Sequence, residues 1–280
     1  MVLIDGKKVS AEIRGSLAKE AGELKEKTGR VPGLATVLVG DDPASAVYVR
    51  NKNKICRELG FKSFEQKLSL DTSEAKLLQL IKELNSNNDI HGILVQLPLP
   101  SQIDSEKILQ AIDPNKDVDG FHPVNVGKLV VGNALLTPCT PTGIIKLLDY
   151  YEIDISGKHA VVLGRSNIVG KPVSMLLLQR NATITICHSR TTNLEEITRS
   201  ADILVAAIGR ANFVTENMVS NGAIVIDVGI NRVDGKLTGD INFEPVSKKA
   251  SYITPVPGGV GPMTIALLME NTLKAFKESI

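Results

Sequence analysis

The sequence predicts an α/β protein with an N-terminal α/β domain and a second domain built on a doubly wound parallel sheet. Short apolar runs without polar alternation, expected for strands covered on both faces, alternate with helical patterns along the chain. A turn between Gly164 and Gly170 joins one such strand to a helix. The two prolines of segment 137–141 stiffen an extended crossing, so this segment is the predicted linker.

Elements of the first domain follow from apolar spacing and from glycine and proline breaks. Apolar residues at helical spacing predict a helix over 7–28 that ends at Gly29 and Pro32. Buried strands are expected at 33–40 and 92–97, and an alternating strand at 61–68. Further helices are expected at 45–60, at 73–85 and around 106–111. This is βαβ alternation, which predicts an α/β domain.

The second domain repeats the alternation. A helix over 142–151 precedes strands at 160–163, 182–187, 202–207 and 223–228, and a long apolar helix over 263–277 ends the chain. Residues 254–262 form a dense glycine and proline loop before that helix. Such a loop is predicted to be a backbone that faces a ligand, or a hinge.

Composition favours a small-molecule partner. The 280 residues carry 32 basic and 31 acidic side chains, so a net charge of +1 gives no field to recruit nucleic acid or an anionic membrane. No run of about 18 apolar residues suggests a membrane span. Cys56, Cys139 and Cys187 are widely spaced and odd in number, which predicts buried thiols in a reducing, cytoplasmic setting. The four histidines lack metal spacing, so no metal site is predicted.

The glycine turn predicts a phosphate site. A strand that enters a helix through such a turn directs backbone N–H groups and the positive end of the helix dipole at an anion. The usual dinucleotide fingerprint is G-x-G-x-x-G, whereas this turn is one residue longer and has Ser166 at the middle position. The phosphate loop of nucleotide triphosphatases does not fit, because Pro172 replaces the hydroxyl that holds magnesium. A Rossmann-type site is expected, and a plain βαβ unit is the alternative.

The end of the next strand favours NADP as the cofactor. An NAD site normally places an acidic residue there to bind the ribose hydroxyls. Here the strand runs into residues 188–192, which contain no carboxylate. Ser189 and Arg190, with Arg165 from the preceding turn, suit a 2′-phosphate instead. For Arg190, a solvated surface charge is the alternative.

Tyr48 and Lys52 are four residues apart on one predicted helix, within reach of one ligand. Tyr-x-x-x-Lys is also the catalytic pair of short-chain dehydrogenases. Those enzymes place the glycine turn before the pair, whereas here the pair precedes the turn. An ordinary helix face with a solvated lysine is the alternative.

Five segments carry a resemblance to a known family: YVRNK at 48–52, VQLPLP at 95–100, DVDGF at 117–121, GRSNIVG at 164–170 and PVPGGVGPMT at 255–264. Together they closely resemble the bifunctional methylenetetrahydrofolate dehydrogenase/methenyltetrahydrofolate cyclohydrolase family, in the family's order and over essentially the whole chain. The resemblance implies a homodimer that acts on tetrahydrofolate substrates with NADP in a ligand cleft between two domains. It also implies that the C-terminal helix returns to the first domain, which gives domains of 1–137 plus 265–280 and 138–264.

The resemblance also implies roles for individual residues. Lys52 is expected to handle protons, Tyr48 to flank the folate, Gln96 to orient Lys52 and Asp119 to bind the pterin. The expected lining of the substrate cleft is Val95, Leu97, Pro257, Gly258, Gly259, Val260 and Gly261. The expected NADP contacts are Gly164, Arg165, Ser166, Ser189 and Ile230, to which the reasoning on charge adds Arg190.

The chemistry of the two reactions agrees with these roles. Hydride transfer needs only a nicotinamide held against the folate, whereas hydrolysis of the methenyl group needs proton transfers that a half-buried lysine can supply. Apart from the resemblance, Asp119 could form the turn before Gly120, and Gln96 could be a satisfied amide at a strand end. A different two-domain NADP dehydrogenase, of hydroxy-acid or shikimate type, and a nucleotide-binding regulator without chemistry are the alternative functions.

Overall fold

The structure is a computed structural model that describes residues 1–280. Contacts within the chain divide it into two compact units, residues 12–139 with 265–280 and residues 1–11 with 140–264. We call these the substrate unit and the cofactor unit, after the roles that the sequence predicts for them. The predicted domain boundaries stay a prediction. They differ from these units at residues 138–139 and at residues 1–11, whose strand pairs within the cofactor unit.

Helices and strands alternate along most of the chain, as the apolar pattern predicts. The strands are β1 (Val2–Leu3), β2 (Gly33–Val39), β3 (Lys62–Leu68), β4 (Gly92–Val95), β5 (His159–Leu163), β6 (Thr183–Cys187), β7 (Ile203–Ala206), β8 (Ile224–Asp227), β9 (Asn231–Val233), β10 (Lys236–Thr238) and β11 (Tyr252–Ile253). The helices are α1 (Gly6–Thr28), α2 (Pro43–Glu58), α3 (Glu74–Ser86), α4 (Ser105–Ala111), α5 (Pro123–Val131), α6 (Cys139–Tyr150), α7 (Gly170–Gln179), α8 (Leu194–Arg199), α9 (Phe243–Ser247) and α10 (Val260–Lys277), with one 3₁₀ turn at Glu216–Met218.

The substrate unit is organised around a three-stranded parallel sheet in the order β3-β2-β4. Every residue of β2 is buried, as its central place and its unbroken apolar sequence predict. The segment after α4 runs beside β4, because Ile93 and Asp117 form a parallel bridge. The carboxyl end of β4 and the loop that carries Asp119 are therefore neighbours.

The cofactor unit contains a six-stranded parallel sheet in the order β1-β11-β8-β7-β5-β6. The predicted doubly wound sheet is confirmed. β6 follows β5 on one side, and the chain then returns to β7 on the other side of β5. In open α/β sheets, ligands bind beyond the carboxyl ends of the strands at such a switch point.

Prolines explain two corrections to the predicted elements. Segment 137–141 is not extended throughout, because α6 already begins at Cys139. In the same way α10 begins at Val260, inside the predicted glycine and proline loop. Pro141 and Pro262 lie in the first turns of these helices, where a missing N–H leaves no helical hydrogen bond unmade.

Short elements were missed by the sequence reasoning. The strands β1, β9, β10 and β11 have two or three residues each, which is too short for a periodic signal. All three cysteines are free and buried, as predicted. None of the helices combines the length and the apolar character needed to cross a membrane.

We predict that Asn271→Leu lowers the stability of the substrate unit. Asn271 is buried on α10, and its Nδ2 donates to the carbonyl oxygens of Val118 and Thr137, each at 2.9 Å. Loss of a buried hydrogen-bond partner costs about 1–3 kcal/mol, so the urea midpoint of unfolding should fall.

Thr272→Val is the matched control, because the Thr272 hydroxyl donates only to Leu268 within the same helix. It removes a buried polar group but no contact to another segment. Equal urea midpoints for the two variants would show that Asn271 does not hold the loop and the linker together.

Candidate functional site

Helix α2 places Lys52 in the interior of the substrate unit. The helix starts sharply, because the Asp42 carboxylate accepts the Ser45 N–H at 2.7 Å and Pro43 occupies the first turn. Its buried residues recur at helical spacing and include Val49, Lys52 and Cys56. Only 8% of Lys52 is exposed. Lys52 is therefore not the solvated lysine of the alternative interpretation.

Gln96 meets the ammonium group of Lys52. It follows β4 directly, and its backbone N–H donates to the Val37 carbonyl at 2.9 Å, so the sheet fixes its position. Lys52 Nζ donates to Gln96 Oε1 at 3.0 Å, and Gln96 Nε2 donates to the Leu97 carbonyl at 2.7 Å. The second bond sets the orientation of the amide and leaves its oxygen to accept from Lys52. The structure thus brings Lys52 and Gln96 together.

The turn that carries Asp119 is held by Asp117. The Asp117 carboxylate is buried and accepts the N–H groups of Phe121 at 3.2 Å and His122 at 2.8 Å. It also accepts from Asn125 Nδ2 at 2.9 Å. The Asp119 carboxylate takes no part in these bonds. The sequence alternative that Asp119 itself forms the turn is therefore wrong.

The half-buried Asp119 carboxylate makes no hydrogen bond within the chain. Burial raises the pKa of Asp119 to about 6, the Lys52 charge acts against this rise, and the Asp117 charge adds to it. Burial likewise raises the pKa of Cys139, so that residue is a neutral thiol beside the two carboxylates. A partnerless carboxylate close to a buried ammonium group is a typical recognition site for a polar ligand.

The other predicted substrate contacts differ in exposure. Tyr48 lies one turn before Lys52 on α2 and is 39% exposed, so its ring is accessible. Leu97 is half-buried. Val95 packs in the hydrophobic core of the substrate unit, with Ala35 and Ile81 among others. Because its side chain is used in the core, only the Val95 backbone remains for a substrate.

The predicted substrate residues Pro257 to Gly261 belong to the cofactor unit. Gly258 has φ of +110°, which favours glycine, and its carbonyl oxygen accepts the Lys7 N–H at 3.1 Å. A Cβ at Gly259 would lie 2.6 Å from the Pro255 oxygen and 2.7 Å from the Thr254 Cβ. Gly259 is therefore required by the shape of its own loop, and its part in substrate binding stays a prediction.

A pocket of about 350 Å³ lies at the carboxyl ends of β5, β6 and β7. We call it the cofactor pocket. Three segments that follow parallel strands converge there, as the switch point requires. No carboxylate lines it. The lining residues are Leu163, Gly164, Arg165, Ser166, Cys187, His188, Ser189, Leu194, Ala207, Ile208, Arg210 and Phe213.

The glycine turn has two features that the sequence did not reveal. Gly164 has φ of +116°, and a Cβ there would clash with the Ala207 carbonyl oxygen, so only glycine fits. The Ser166 hydroxyl accepts the N–H groups of Val169 and Gly170, each at 3.2 Å. The chain therefore satisfies two of the N–H groups at the start of α7 with its own serine.

Of the two residues predicted to bind a 2′-phosphate after β6, only Ser189 lines the cofactor pocket. Residues 188–191 form a tight turn, in which the His188 N–H donates to the Thr191 hydroxyl at 2.9 Å. The Arg190 N–H donates to His188 Nδ1 at 3.1 Å, and the Arg190 side chain is exposed. Ile230 is also outside the lining set and lies near Gly261 instead. The structure thus brings together Gly164, Arg165, Ser166 and Ser189.

Arg210 and Phe213 are pocket residues that the sequence reasoning missed. Both follow β7, and the Arg210 guanidinium lies 4.7 Å from the centre of the Phe213 ring. The sequence does contain a signal for these two residues, because β7 was predicted and the carboxyl ends of parallel strands lie at one edge of the sheet. The loop after β7 is therefore expected to line the same pocket as the loops after β5 and β6. No group of three His, Cys, Asp or Glu side chains forms a potential metal site.

Two family models match this chain. The catalytic domain of tetrahydrofolate dehydrogenase/cyclohydrolase matches residues 4–119, and the NAD(P)-binding domain of the same family matches residues 138–280. The "Bifunctional protein FolD" of Streptococcus gordonii is 57% identical over 279 residues, which cover 99% of this chain and 98% of the relative. The FolD protein of Halalkalibacterium halodurans is 56% identical and covers 99% of both chains.

Solved structures of the same family superimpose closely on this chain. The bifunctional FolD enzyme of Campylobacter jejuni superimposes with a TM-score of 0.97 at 51% identity, over 100% of both chains. The Trypanosoma brucei enzyme, complexed with NADP cofactor and inhibitor, gives 0.96 at 41% identity over 100% of this chain and 98% of the other. An Aquifex aeolicus shikimate dehydrogenase gives 0.53 at 12% identity over 88% and 92%, which shows a shared fold alone. The chain belongs to the tetrahydrofolate dehydrogenase/cyclohydrolase family.

Proposed function

We propose that this chain oxidises methylenetetrahydrofolate to methenyltetrahydrofolate with NADP and then hydrolyses that product to 10-formyltetrahydrofolate. The observation that carries the proposal is the buried Lys52, whose Nζ donates to Gln96 Oε1 at 3.0 Å. A lysine buried with an orienting amide and a partnerless carboxylate close by is costly to keep in a plain structural protein. A nucleotide-binding regulator would have no use for it.

The cofactor pocket fits NADP. The bare Gly164 lets a dinucleotide approach the backbone, and Arg165 and Ser189 supply a cation and a hydroxyl for a 2′-phosphate. The pocket lacks the carboxylate that would favour the ribose hydroxyls of NAD. When bound, NADP accepts the hydride from the methylene carbon. The part of the chain in that step is to hold both reactants in place and to exclude water.

Hydrolysis of the methenyl group requires the chain to move protons. The oxygen of a water molecule bonds to the methenyl carbon and loses one proton, which gives a neutral hydroxyl intermediate. The hydroxyl then loses its proton to become the formyl carbonyl, while the bond from that carbon to a ring nitrogen breaks and the nitrogen takes up a proton, so one proton is released overall. We assign these transfers to Lys52 Nζ, which as a neutral amine takes a proton from the water oxygen and as an ammonium group gives one to the ring nitrogen. Gln96 accepts one of its N–H bonds and so directs the remaining ones.

Recognition of the folate is assigned to Asp119 and Tyr48. The Asp119 carboxylate has unused acceptor capacity and suits the N–H donors of a pterin ring. The accessible ring of Tyr48 offers a face for stacking. Leu97, the backbone of Val95 and the loop from Pro257 to Gly261 are proposed as further substrate contacts.

Three further points rest on the family resemblance. We propose that the chain is a homodimer, that it acts in the cytoplasm, and that its domains are 1–137 plus 265–280 and 138–264. Arg190 and Ile230 are kept as proposed NADP contacts, although neither lines the cofactor pocket.

The first prediction is that Lys52→Met separates the two activities. Methionine is similar in length but exchanges no proton, and general acid–base assistance contributes about 10²–10⁴-fold. Methenyl hydrolysis should therefore fall by that factor while hydride transfer survives, so methenyl product accumulates. The two rates are measured by absorbance in one protein preparation.

Lys54→Met is the matched control, because Lys54 lies on the same helix but is exposed and pairs with Glu58. Both activities should be retained in that variant. If Lys52→Met hydrolyses methenyltetrahydrofolate at the parental rate, the proton transfers belong to another group.

The second prediction concerns cofactor choice. Arg165→Ala removes the pocket cation assigned to the 2′-phosphate, and a hydrogen bond to a charged group is worth about 1.5–3 kcal/mol. The KM for NADP should rise by about 10- to 100-fold, and the KM for NAD much less. Arg199→Ala serves as the comparison and should act weakly, because Arg199 is exposed, pairs with Glu195 and lies outside the pocket. Equal losses for NADP and NAD in Arg165→Ala would refute the phosphate assignment.

The third prediction is a pH dependence of folate binding. Because the pKa of Asp119 is raised to about 6, the carboxylate is charged above that pH and neutral below it. The KM for methylenetetrahydrofolate should rise as the pH falls through 6. A raised carboxyl pKa favours the folded state at low pH, so unfolding through this group does not cause the effect. Asp119→Asn should raise the KM and remove the dependence, and a variant with the parental pH profile would exclude Asp119 from the site.

A further inference from the structure

Asp240 is a fully buried carboxylate that binds the loop behind the cofactor pocket. Its Oδ2 accepts the N–H groups of Ile208 at 2.7 Å and Gly209 at 3.0 Å. Its Oδ1 accepts the N–H of Arg210 at 2.8 Å. Three consecutive backbone donors therefore converge on one side chain.

The loop adopts a conformation that creates this anion site. Gly209 has φ of +67°, the left-handed region, which turns successive N–H groups towards one side. Such a concave set of donors is the kind of site that proteins use for phosphate and other anions. Here the anion is supplied by the chain itself. Without the carboxylate, three consecutive backbone N–H groups would lose their common acceptor, and the loop would lose the hydrogen bonds that hold it in this conformation.

The same loop forms one wall of the cofactor pocket. Ile208 and Arg210 line the pocket together with Phe213, over whose ring the Arg210 guanidinium lies. Asp240 Oδ1 also accepts from Asn231 Nδ2 at 3.0 Å, and Asn231 directly follows Ile230, a proposed NADP contact. One carboxylate thus holds two separate segments that are assigned to the cofactor.

A second buried carboxylate fixes Asp240 in turn. Asp227 Oδ1 accepts the Asp240 N–H at 2.9 Å, and Asp227 Oδ2 accepts the Ile241 N–H at 3.0 Å. Asp227 ends β8, and its own N–H donates to the Thr254 hydroxyl at 2.7 Å. The position of Asp240 is therefore set by the sheet and does not depend on a ligand.

We propose that Asp240 is a positioning residue for NADP, which acts by placing the backbone of Ile208–Arg210 and the guanidinium of Arg210 against the bound dinucleotide. The proposal rests on the proposed function of the cofactor pocket. Arg210 lines the pocket directly, whereas Asp240 is not among the lining residues. Substitution of Asp240 should therefore affect NADP binding and leave the folate reactions that do not use NADP intact.

The test is Asp240→Asn, which keeps the side-chain volume but replaces one acceptor with a donor. The KM for NADP should rise at least about 10-fold, as expected when a binding group is misplaced by a fraction of an ångström. The KM for folate and the rate of methenyl hydrolysis should stay at parental values. Asp202→Asn is the matched control. Asp202 also accepts a backbone N–H, that of His159, but it does so at the amino end of β5, whereas the pocket lies at the carboxyl ends of the strands.

A double-mutant cycle with Arg210→Ala distinguishes positioning from a general loss of stability. If Asp240 acts through Arg210, the effects of Asp240→Asn and Arg210→Ala on the KM for NADP are less than additive. Full additivity, an unchanged KM for NADP, or a parallel loss of methenyl hydrolysis in Asp240→Asn overturns the proposal. Should that variant not fold, Asn231→Ala removes only one donor to Asp240 and should raise the KM for NADP less. An unchanged KM there also overturns it.

Arg165→Ala separates the failure of this proposal from a failure of the pocket assignment. A raised KM for NADP in Arg165→Ala, with a parental KM in Asp240→Asn, overturns the role of Asp240 alone. If the KM for NADP is parental in Arg165→Ala, Arg210→Ala and Asp240→Asn alike, the cofactor does not bind in this pocket.

Discussion

The burial of the Lys52 ammonium group is the constraint on which the site in the substrate unit depends. Removing a charge from water costs several kcal/mol unless nearby groups compensate. Gln96 compensates by accepting a hydrogen bond at 3.0 Å, and Asp119 by its negative charge. Each of these needs its own support, which the end of β4 gives to Gln96 and the Asp117 turn gives to Asp119. The fold around Lys52 can therefore be understood as the means of keeping one cation accessible to chemistry.

In the cofactor unit, side chains of the protein itself accept hydrogen bonds from backbone N–H groups that could otherwise bind a phosphate. Ser166 takes two N–H groups at the start of α7, and Asp240 takes three from the loop after β7. A pocket that relied on these donors for phosphates would have few left. Under the proposed function, recognition of the anionic cofactor would then fall to cationic side chains, of which Arg165 and Arg210 line the pocket. This explains why a glycine turn that departs from the usual fingerprint is compatible with dinucleotide binding.

Elements that are set by a local pattern of residues could be predicted from the sequence. Features that are set by contacts between distant segments could not. Strands such as β2 and β5 were found because nearly every residue in them is apolar or small, and the α/β class followed from βα alternation. The place of β1 could not be predicted, since Val2 and Leu3 gain their partner from β11, about 250 residues later. Arg190 was expected in the pocket on charge alone, but a tight turn held by Thr191 leaves it outside. Asp240 had no sequence signal, because its partners are backbone groups.

Asp117 and Asp119 show how one short loop gives two identical side chains different roles. Asp117 accepts three hydrogen bonds from its own segment, so its carboxylate is satisfied and serves the turn. Asp119 accepts none, and burial raises its pKa to about 6. A carboxylate in that state gains more from a ligand that offers N–H donors than a solvated one would, because its acceptor capacity is unused within the protein. The turn built by Asp117 thus leaves Asp119 with an unsatisfied carboxylate, which is the group proposed to recognise the substrate.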